Sequence, residues 1–290
     1  MNNIFVMVTL KSSHSYTVHA IKSFFKYTKL ENDDEFILID NDNNELDEFR
    51  HYNKINIIKN SSPLSFAENV NQGIKIALNK DKNLVFLNND IIFTKKWFES
   101  IKLDDTGLSI STSNQLFQYK SICENLNLKH TMEFKDFNEK YSLLDEIVTF
   151  HKKKFKDKKK FQTPLMPFFC FKIPNKILKT VGFLDTSFGK GGGEDIDYRI
   201  RCAAKGLEVN FLIQSYVLHF HGKSTWDGNE TPSQTEDRNN IYTKVFLKKW
   251  GKDMTQIFIL RKDFIEILNK KGLIDLFKKG KFGSLIRRFL

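Results

Sequence analysis

Apolar runs and helical patterns alternate through the first ninety residues, and this alternation restricts the chain to a few folds. Short apolar runs predict buried strands over residues 3–10, 35–39, 55–58 and 84–87. Between them, apolar side chains at helical spacing predict helices over residues 14–28 and 65–78. Strands that alternate with helices predict βαβ units and a parallel sheet. Polar residues follow these strands, and in open α/β sheets ligands bind at that carboxyl edge.

The second half of the chain is less regular. Residues 115–163 are rich in Lys, Asn and Glu, and they predict a helical insertion or lid. Further strands are predicted over residues 167–173, 209–212 and 216–221, and a short helix over 176–181. From residue 237 onward the pattern is helical and basic. We therefore expect an α/β fold with a mostly parallel sheet, a helical insertion and a basic helical tail.

Basic residues are concentrated in two segments. The 290 residues carry a formal net charge of +11; residues 152–161 and 261–290 carry +6 each, which leaves −1 for the rest. A nucleic-acid binder of this size more often has a basic groove across its body, so we expect no nucleic-acid partner. Local basic patches suit an anionic membrane surface, and equally a solvated face.

The sequence also bears on the compartment. No apolar run reaches the roughly 18 residues that a membrane-spanning helix needs. The first residues lack the basic region and cleavage site of a signal peptide. The three cysteines have neither metal-site nor disulfide spacing, so we expect reduced thiols in a cytosol.

Asn88, Asn89 and Asp90 directly follow the strand predicted over residues 84–87. A carboxylate at the carboxyl edge of a parallel sheet can hold a hard divalent cation against phosphate oxygens. Asn and Asp are also ordinary turn formers at strand ends, so this feature alone leaves both interpretations open.

A glycine-rich loop leads into a pair of acids. Gly191, Gly192 and Gly193 allow the backbone to approach a ligand closely. Glu194 and Asp195 follow in the first turn of a helix, where the helix dipole stabilises the ionised form of an acid. N-terminal capping would explain the acids, but three consecutive glycines exceed what a cap requires.

Two histidines share one face of a late strand. His219 and His221 are two residues apart, so both point to the same side of an extended chain. Imidazole is a common metal ligand, and either histidine could complete a site begun by Asp90. A pair of half-buried strand histidines is the simpler interpretation when they are considered alone.

A series of motifs runs in order along residues 3–250. The motifs are Val6-Met7-Val8-Thr9-Leu10, Ile39-Asp40-Asn41, Phe66-Ala67 with Asn71-Gln72-Gly73-Ile74, Phe86-Leu87-Asn88-Asn89-Asp90-Ile91 with Trp97, Val181-Gly182-Phe183-Leu184-Asp185, Glu194-Asp195-x-Asp197-x-x-x-Arg201 with Gly206, and His219-x-x-Gly222-x-Ser224-Thr225. In order and spacing they resemble the inverting glycosyltransferases of family 2, which have the GT-A fold. The Gly-Gly-Glu-Asp stretch is also similar to the acceptor loop of β-1,4-galactosyltransferases. The insertion and the tail lie outside the resemblance.

The resemblance implies a nucleotide-sugar site. The donor-binding residues would be Thr9, Leu10, Asp40, Asn71, Asn88 and Asn89. Within this set, Asp40 would accept a hydrogen bond from the imide N–H of uracil or thymine. Asp90 and His219 would hold a divalent cation, Mn²⁺ or Mg²⁺, with His221 as the fallback ligand. Asn88 replaces the first acid of the family's DxD motif, so the metal affinity should fall.

On the acceptor side, the resemblance implies that Asp195 is the catalytic base. Glu194, Gly192 and Gly193 would bind the acceptor. The implied reaction transfers a hexose-type sugar from a UDP-sugar, or a dTDP-sugar, to a hydroxyl of a glycan or lipid-linked oligosaccharide. Such a reaction belongs to the synthesis of surface polysaccharides or glycoconjugates.

These inferences divide the chain into four regions. Residues 1–114 would form the nucleotide-sugar-binding half, 115–163 the insertion, 164–250 the acceptor-binding and catalytic half, and 251–290 the tail. We expect the protein in the cytoplasm, peripheral at the inner face of the cell membrane.

Two other functions stay open. A nucleotidyltransferase also places a strand-end acid on Mg²⁺, but residues 9–14 lack the glycines that such enzymes usually carry after the first strand. The absence of a GxGxxG motif after the first strand also argues against a Rossmann dehydrogenase. A non-enzymatic nucleic-acid-binding protein could act through the Lys-rich patches, although the neutral body opposes it.

The tail has an amphipathic pattern. Its apolar residues on one helical face are Phe282, Leu285, Ile286, Phe289 and Leu290. The basic residues roughly opposite are Lys281, Arg287 and Arg288. This pattern predicts a helix that lies in a membrane interface and contacts anionic lipid. A helix docked on the catalytic body would need only the apolar face, and it explains that face equally well.

Overall fold

One mixed sheet, flanked by helices, organises the protein. The computed structural model describes residues 2–43, 46–52, 54–114, 137, 140–156, 160–162, 168–220, 222–223 and 230–290. The described strands are β1 (Asn3–Thr9), β2 (Glu35–Asp40), β3 (Ile55–Lys59), β4 (Asn83–Leu87), β5 (Ile91–Phe93), β6 (Gly107–Ser113), β7 (Lys160–Gln162), β8 (Cys170–Ile173) and β9 (Glu208–His219). Their order is β3-β2-β1-β4-β8-β6-β9-β5, and β7 pairs with β9.

The first half of the sheet is parallel. Strands β3, β2, β1 and β4 run in the same direction, with Val6 opposite Ile37 on one side and Phe86 on the other. All of β4 is buried, as the continuous apolar run predicts for a strand that is covered on both faces. The carboxyl ends of these strands therefore form one edge of the sheet.

Two helices connect the parallel strands. Helix α1 (His14–Tyr27) follows β1, and helix α2 (Phe66–Asn79) follows β3. Ser65 begins α2 with a capping box: its hydroxyl accepts from the Glu68 N–H, and the Glu68 carboxylate accepts from the Ser65 N–H. The apolar face of α2 packs on β1 and β4. The sequence thus predicted this half of the fold to within a few residues.

The second half of the sheet is mixed. Strand β8 lies antiparallel between β4 and β6, and β9 pairs in parallel with β6 and antiparallel with β5 and β7. The α/β fold class is confirmed, but antiparallel pairing enters here. Instead of two short strands, the structure has the single strand β9, with a register irregularity against β6 at Ser111 and Thr112. Strands β5 and β6 were not predicted, because one is three residues long and the other is rich in hydroxyl side chains.

The remaining helices are α3 (Trp97–Leu103), α4 (Tyr141–Lys154), α5 (Asn175–Val181), α6 (Glu194–Ala204), α7 (Pro232–Thr255), α8 (Phe264–Lys270), α9 (Ile274–Lys278) and α10 (Phe282–Phe289). Helix α4 and strand β7 fall in the predicted insertion, most of which lies outside the described residues. Helix α7 begins five residues earlier than predicted and contains a kink at Gly251, whose φ is 80°. Within the described ranges, no helix is both long enough and apolar enough to cross a bilayer.

The tail helix α10 docks on the body of the protein. Phe282, Leu285 and Ile286 are buried, and α10 packs against α6. Arg287 donates a hydrogen bond to the Ala203 carbonyl at 3.1 Å, near the end of α6. Most of the apolar face that predicted a membrane helix is therefore occupied by protein, as the alternative interpretation required, while Leu290 at its end is 65% exposed. Contact of the tail with a membrane stays a prediction.

Candidate active site

The carboxyl ends of β1, β2 and β4 bring several predicted donor residues together. Thr9 lies opposite Asp40 in the register of β1 and β2. A small cleft opens beside this edge. Its lining residues are Val8, Leu10, Asn41, Leu64, Phe66, Asn69, Phe86, Leu87, Asn88 and Asn89. We refer to Thr9, Leu10, Asp40 and residues 88–90 as the strand edge.

Three asparagines brace the end of β2. The Asn60 amide donates to Asn41 Oδ1 at 2.8 Å and to Asn69 Oδ1 at 3.0 Å. The Asn69 amide donates to the same Asn41 oxygen at 3.2 Å. Asp40 is buried at this strand end, with its Oδ2 atom 3.8 Å from the Lys59 ammonium. The carboxylate thus lies at the strand edge, and its contact with a nucleotide base stays a prediction.

A second polar network lies below the strand edge. The hydroxyls of Thr9 and Thr17 are 2.8 Å apart, and the Asn89 amide donates to the hydroxyls of Ser13 at 2.7 Å and Thr17 at 2.8 Å. Thr9 and Asn89 are both buried, so the described contacts of Thr9 are internal. The buried Asn89 Oδ1 accepts no hydrogen bond within the described part of the chain. Since Asn89 also lines the cleft, this atom is a candidate acceptor for a ligand.

Asn71 connects the two halves of the molecule. Its Nδ2 donates to the Leu184 carbonyl at 2.9 Å, and its Oδ1 accepts from the Leu184 N–H at 2.8 Å. These paired bonds join α2 to the segment that precedes the glycine-rich loop. The structure therefore gives Asn71 a positioning role, and its predicted contact with the donor stays a prediction.

Asp90 and His219 form a buried pair at the end of β4. Asp90 Oδ1 lies 3.4 Å from His219 Nε2, and Asp90 Oδ2 accepts from the Lys223 N–H at 3.1 Å. Burial opposes ionisation of the carboxyl, but the charge and hydrogen bonding of His219 outweigh it and lower the pKa of Asp90. The His219 ring stacks on Phe169 with centroids 4.6 Å apart and planes at 14°. The structure thus brings together the two predicted metal ligands.

The donor set of this pair suits a divalent cation. A carboxylate oxygen and an imidazole nitrogen are both ligands of Mn²⁺ and, for the oxygen, of Mg²⁺. In the ranges that the structure describes, no group of three His, Cys, Asp or Glu side chains is placed to hold a metal. The fallback ligand His221 lies outside the described residues. A cation would therefore take two ligands from Asp90 and His219, and others from a bound phosphate or water.

Two adjacent phenylalanines link the strand edge to the acids of α6. The Phe168 N–H donates to Asp195 Oδ2 at 3.2 Å. The Phe169 carbonyl accepts from the Asn88 N–H at 2.7 Å, while its ring stacks on His219. One dipeptide therefore contacts the segment that follows β4, the candidate metal ligand and the candidate base.

The loop of residues 191–195, which we call the acid loop, depends on glycine for its shape. Gly192 has a φ of 123°, in the region that side chains rarely adopt. A Cβ atom at Gly192 would lie 2.6 Å from the ring of Tyr242, which belongs to α7. Close approach of the loop to this ring therefore requires glycine. The motif predicted a need for glycine, although it gave no indication of Tyr242.

Asp195 is held in one orientation. Its Oδ2 accepts from Arg199 at 3.2 Å in addition to the Phe168 N–H, and its Oδ1 accepts from the Ile196 N–H at 2.7 Å. The Arg199 side chain is 1% exposed, and that of Asp195 is 14% exposed. Sequence reasoning missed Arg199, although its i, i+4 spacing from Asp195 indicated an ion pair.

Glu194 has a different environment from its neighbour. It is buried, and its Oε2 accepts from the Gly192 N–H at 2.5 Å. Burial, with the negative charge of Asp195 beside it, raises the pKa of Glu194 to about 8. At neutral pH this side chain is therefore mostly a protonated acid, which can donate as well as accept a hydrogen bond.

Asp197 and Arg201 anchor the helix that carries these acids. Asp197 is buried and accepts from Arg201 at 2.8 Å, from Lys249 at 2.8 Å and from the Trp250 indole at 2.9 Å. Asp197 therefore joins α6 to α7, while Arg201 joins α6 to the Val181 and Phe183 carbonyls at the end of α5. No local sequence pattern predicted that Lys249 and Trp250 would contact Asp197.

The fold matches solved glycosyltransferases. The chain superposes on GalNAc-T7, crystallised with UDP, GalNAc and Mn²⁺, with a TM-score of 0.60 at 16% identity, over 88% of this chain and 50% of that one. It also superposes on S. aureus TarS 1–349, crystallised with UDP-GlcNAc, with a TM-score of 0.53 at 11% identity, over 99% of this chain and 90% of that one. The likeness confirms the predicted GT-A fold.

The chain spans half of the length of the GalNAc-T7 chain. No protein-family model matches the sequence, and no curated protein matches it in sequence.

Proposed function

We propose that this GT-A-fold chain is an inverting glycosyltransferase of family 2. It transfers a hexose-type sugar from a UDP-sugar, or a dTDP-sugar, to a hydroxyl of an acceptor. The observation that carries the proposal is that two adjacent residues connect the candidate cation site and the candidate base. Phe168 donates its N–H to Asp195, and the ring of Phe169 stacks on His219, which pairs with Asp90. In open α/β sheets ligands bind at the carboxyl edge, where Asp90 lies.

The strand edge binds the donor. Asp40 accepts from the imide N–H of the base, Leu10 contacts the base in the cleft, and Asn89 Oδ1 accepts from the sugar or ribose. The solved structures of GalNAc-T7 with UDP and of TarS with UDP-GlcNAc support a UDP-sugar as the donor.

Asp90 and His219 hold Mn²⁺ or Mg²⁺. When bound, the cation supplies positive charge that stabilises the departing diphosphate. The chain prepares this site through the Lys223 N–H, which donates to Asp90 Oδ2 and favours its ionised form, and through Phe169, on which the His219 ring stacks.

Asp195 acts as the general base. It takes the proton of the acceptor hydroxyl while that oxygen bonds to the anomeric carbon. The bond from the anomeric carbon to the diphosphate oxygen breaks on the opposite face, so the configuration inverts, as in the single displacement of inverting glycosidases. Arg199 and the Phe168 N–H hold the carboxylate in place. Glu194, Gly192 and Gly193 bind the acceptor.

The acceptor is a glycan or a lipid-linked oligosaccharide in the synthesis of surface polysaccharides or glycoconjugates. The enzyme acts in the cytoplasm, at the inner face of the membrane. Cys170 and Cys202 are free and buried, which fits a reducing compartment.

A donor screen tests the proposal. Thermal unfolding is measured with UDP-, dTDP- and GDP-sugars, each with and without Mn²⁺. A ligand that binds the folded chain raises its melting temperature by mass action, so we expect UDP-sugars to stabilise it most, and more so with Mn²⁺. The matched variants are Asp90→Asn at the site and Asp275→Asn at an exposed position of α9.

We expect Asp90→Asn to lose the Mn²⁺-dependent stabilisation and Asp275→Asn to retain it. The proposal fails if no sugar nucleotide stabilises the protein, or if both variants respond alike. The same measurement with nucleoside triphosphates tests the alternative: stabilisation by these compounds and by no sugar nucleotide would favour a nucleotidyltransferase.

A further inference from the structure

A lysine-lined groove lies away from the candidate active site. It has a volume of about 810 Å³ between the end of α1, the start of α3 and the start of α4. Helix α1 contacts Asn89 at its first residues, through Ser13 and Thr17, and the groove at its last ones. A helix of 14 residues is about 20 Å long, so the two sites lie at opposite ends of α1.

The groove carries an excess of positive charge. Five lysines line it against two acids, Glu99 and Asp145. The lysines are Lys26, Lys29, Lys95, Lys96 and Lys102. All five residues are exposed, and an external anion would compete with the partners that three of them have: Glu31 for Lys102, Glu99 for Lys96 and the Tyr141 ring for Lys26.

A sixth lysine lies deeper, beside the rim. The Lys152 ammonium donates to the Lys95 carbonyl at 3.3 Å. Burial lowers the pKa of Lys152; Glu99 opposes the shift, and Lys96 adds to it. Two lysine side chains, Lys96 and Lys152, thus share the Glu99 carboxylate, whose Oε1 is 3.6 Å from the Lys96 ammonium. An anion that entered here would relieve their mutual repulsion.

An apolar side chain is exposed beside the lysines. Leu103, next to Lys102, is 82% exposed. An exposed Leu beside lysines is typical of proteins that dock on a membrane interface. A soluble polyanion would need the lysines but not this apolar side chain.

We propose that this groove docks on the anionic surface of a phospholipid bilayer, with lipid phosphates at the lysines and Leu103 in the headgroup region. The inference is independent of the proposed reaction. It assigns membrane contact to the face formed by α3 and α4, because most of the apolar face of the tail helix α10 is buried, with Phe282, Leu285 and Ile286 inside the protein.

Vesicle co-sedimentation of the full chain tests the proposal. Phosphatidylcholine vesicles are compared with and without phosphatidylglycerol. The site variant combines Lys95→Gln, Lys96→Gln and Lys152→Gln. The control variant combines Lys244→Gln, Lys248→Gln and Lys252→Gln, which removes the same charge from exposed positions of α7.

We expect the wild type to partition to the anionic vesicles at least tenfold more than to neutral ones. Each lysine near an anionic surface contributes roughly fivefold, so the site variant should lose most of this binding and the control little. Leu103→Asn should weaken binding further without a change in charge. Gln at position 152 can still donate to the Lys95 carbonyl, and an unchanged melting temperature verifies folding.

Three results would overturn the proposal. The first is equal binding of the protein to neutral and anionic vesicles. The second is an equal loss of vesicle binding in the site and control variants. The third is unchanged binding of Leu103→Asn, combined with release of the protein from vesicles by free inorganic phosphate at constant ionic strength. The last result would identify the groove as a site for a soluble phosphate compound. Because the assay contains no sugar nucleotide, its result tests the membrane-docking proposal independently of the glycosyltransferase proposal.

Discussion

The strand edge and the acid loop hold carboxyl groups in opposite ways. At the strand edge, His219 and the Lys223 N–H outweigh burial and lower the pKa of Asp90. In the acid loop, burial and the neighbouring Asp195 raise the pKa of Glu194 to about 8. The same functional group is thus kept ionised in one place and mostly protonated in the other. The difference shows that neighbouring parts of one fold can stabilise opposite protonation states of a carboxyl group.

The two regions also differ in how they are assembled. The contacts of Thr9, Asp40 and Asn89 at the strand edge involve β1, α1, β2 and β4, all within the first ninety residues, while Asn88 and Asp90 add contacts with the second half of the chain. The acid loop is shaped by residues far from it, namely Phe168 and Tyr242, together with Arg199 on α6. Substitutions in the two regions should therefore separate donor binding from chemistry.

The largest effect is expected for Asp195→Asn. Asn keeps the shape and can still accept from Arg199, but it cannot take the proton of the acceptor. Loss of a general base typically lowers kcat by about 10²–10⁴-fold. Donor affinity, measured by titration with UDP-sugar and Mn²⁺, should be unchanged because the strand edge is intact.

Near-wild-type turnover of Asp195→Asn would transfer the role of base to Glu194. The matched variant Glu194→Gln then decides between them, because only the true base should lower kcat to that extent.

The next largest effect is expected for Asp90→Asn, which should weaken binding of the donor. Changes in the outer shell of a metal site commonly cost about 10–100-fold, and loss of a ligand should cost at least as much. We expect the affinity for UDP-sugar to fall by this factor in Mn²⁺ and to change little in EDTA. Full wild-type activity in excess EDTA would instead show that the site works without a cation.

The pH dependence of stability should distinguish Glu194 from other acids. Its pKa in the folded protein is about 8, above its usual value of 4.5. Between these values the folded state binds more protons than the unfolded state, so this group makes the free energy of unfolding fall as pH rises from about 5 to 8. Urea unfolding across that range should show a drop on the order of a few kcal/mol from this group. Glu194→Gln should flatten the profile, and a slope unchanged by it would contradict the assignment.

The smallest effect is expected for Gly192→Ala. The new methyl group meets the Tyr242 ring and the backbone is strained, which together should destabilise the fold by about 1–3 kcal/mol and lower kcat several-fold. Gly182→Ala is the matched control, since its φ of 80° is also unfavourable but no atom lies within 4 Å of the added carbon. Tyr242→Ala in the Gly192→Ala chain should recover the part that is due to the clash. Equal losses in the two glycine variants would mean that the Tyr242 contact is unimportant.

The sequence predicted the strand edge better than the acid loop for a physical reason. Parallel strands with continuous apolar runs place their following residues at one edge, so Asp40 and Asp90 could be located from the pattern alone. Arg199 could have been found from its spacing to Asp195. Tyr242 and Trp250 could not, because their contacts depend on how α7 packs, and no local pattern encodes that arrangement.

The position of β6 in the sheet has a consequence for synthesis of the protein. Its described partners, β8 and β9, lie later in the chain, so β6 leaves the ribosome with nothing to pair with. β8 begins at Cys170, about 60 residues after the end of β6, which takes several seconds at roughly 5–20 residues per second. During that interval the four hydroxyl side chains of Gly107–Ser113 remain hydrated and make the nascent strand a poor nucleus for aggregation. After β8 and β9 are synthesised, the Ser111 hydroxyl lies 2.7 Å from the Ser215 hydroxyl, and the Thr112 hydroxyl donates to the Ser215 carbonyl at 2.7 Å. The hydroxyl groups that keep the unpaired strand hydrated therefore form hydrogen bonds to β9 in the folded protein.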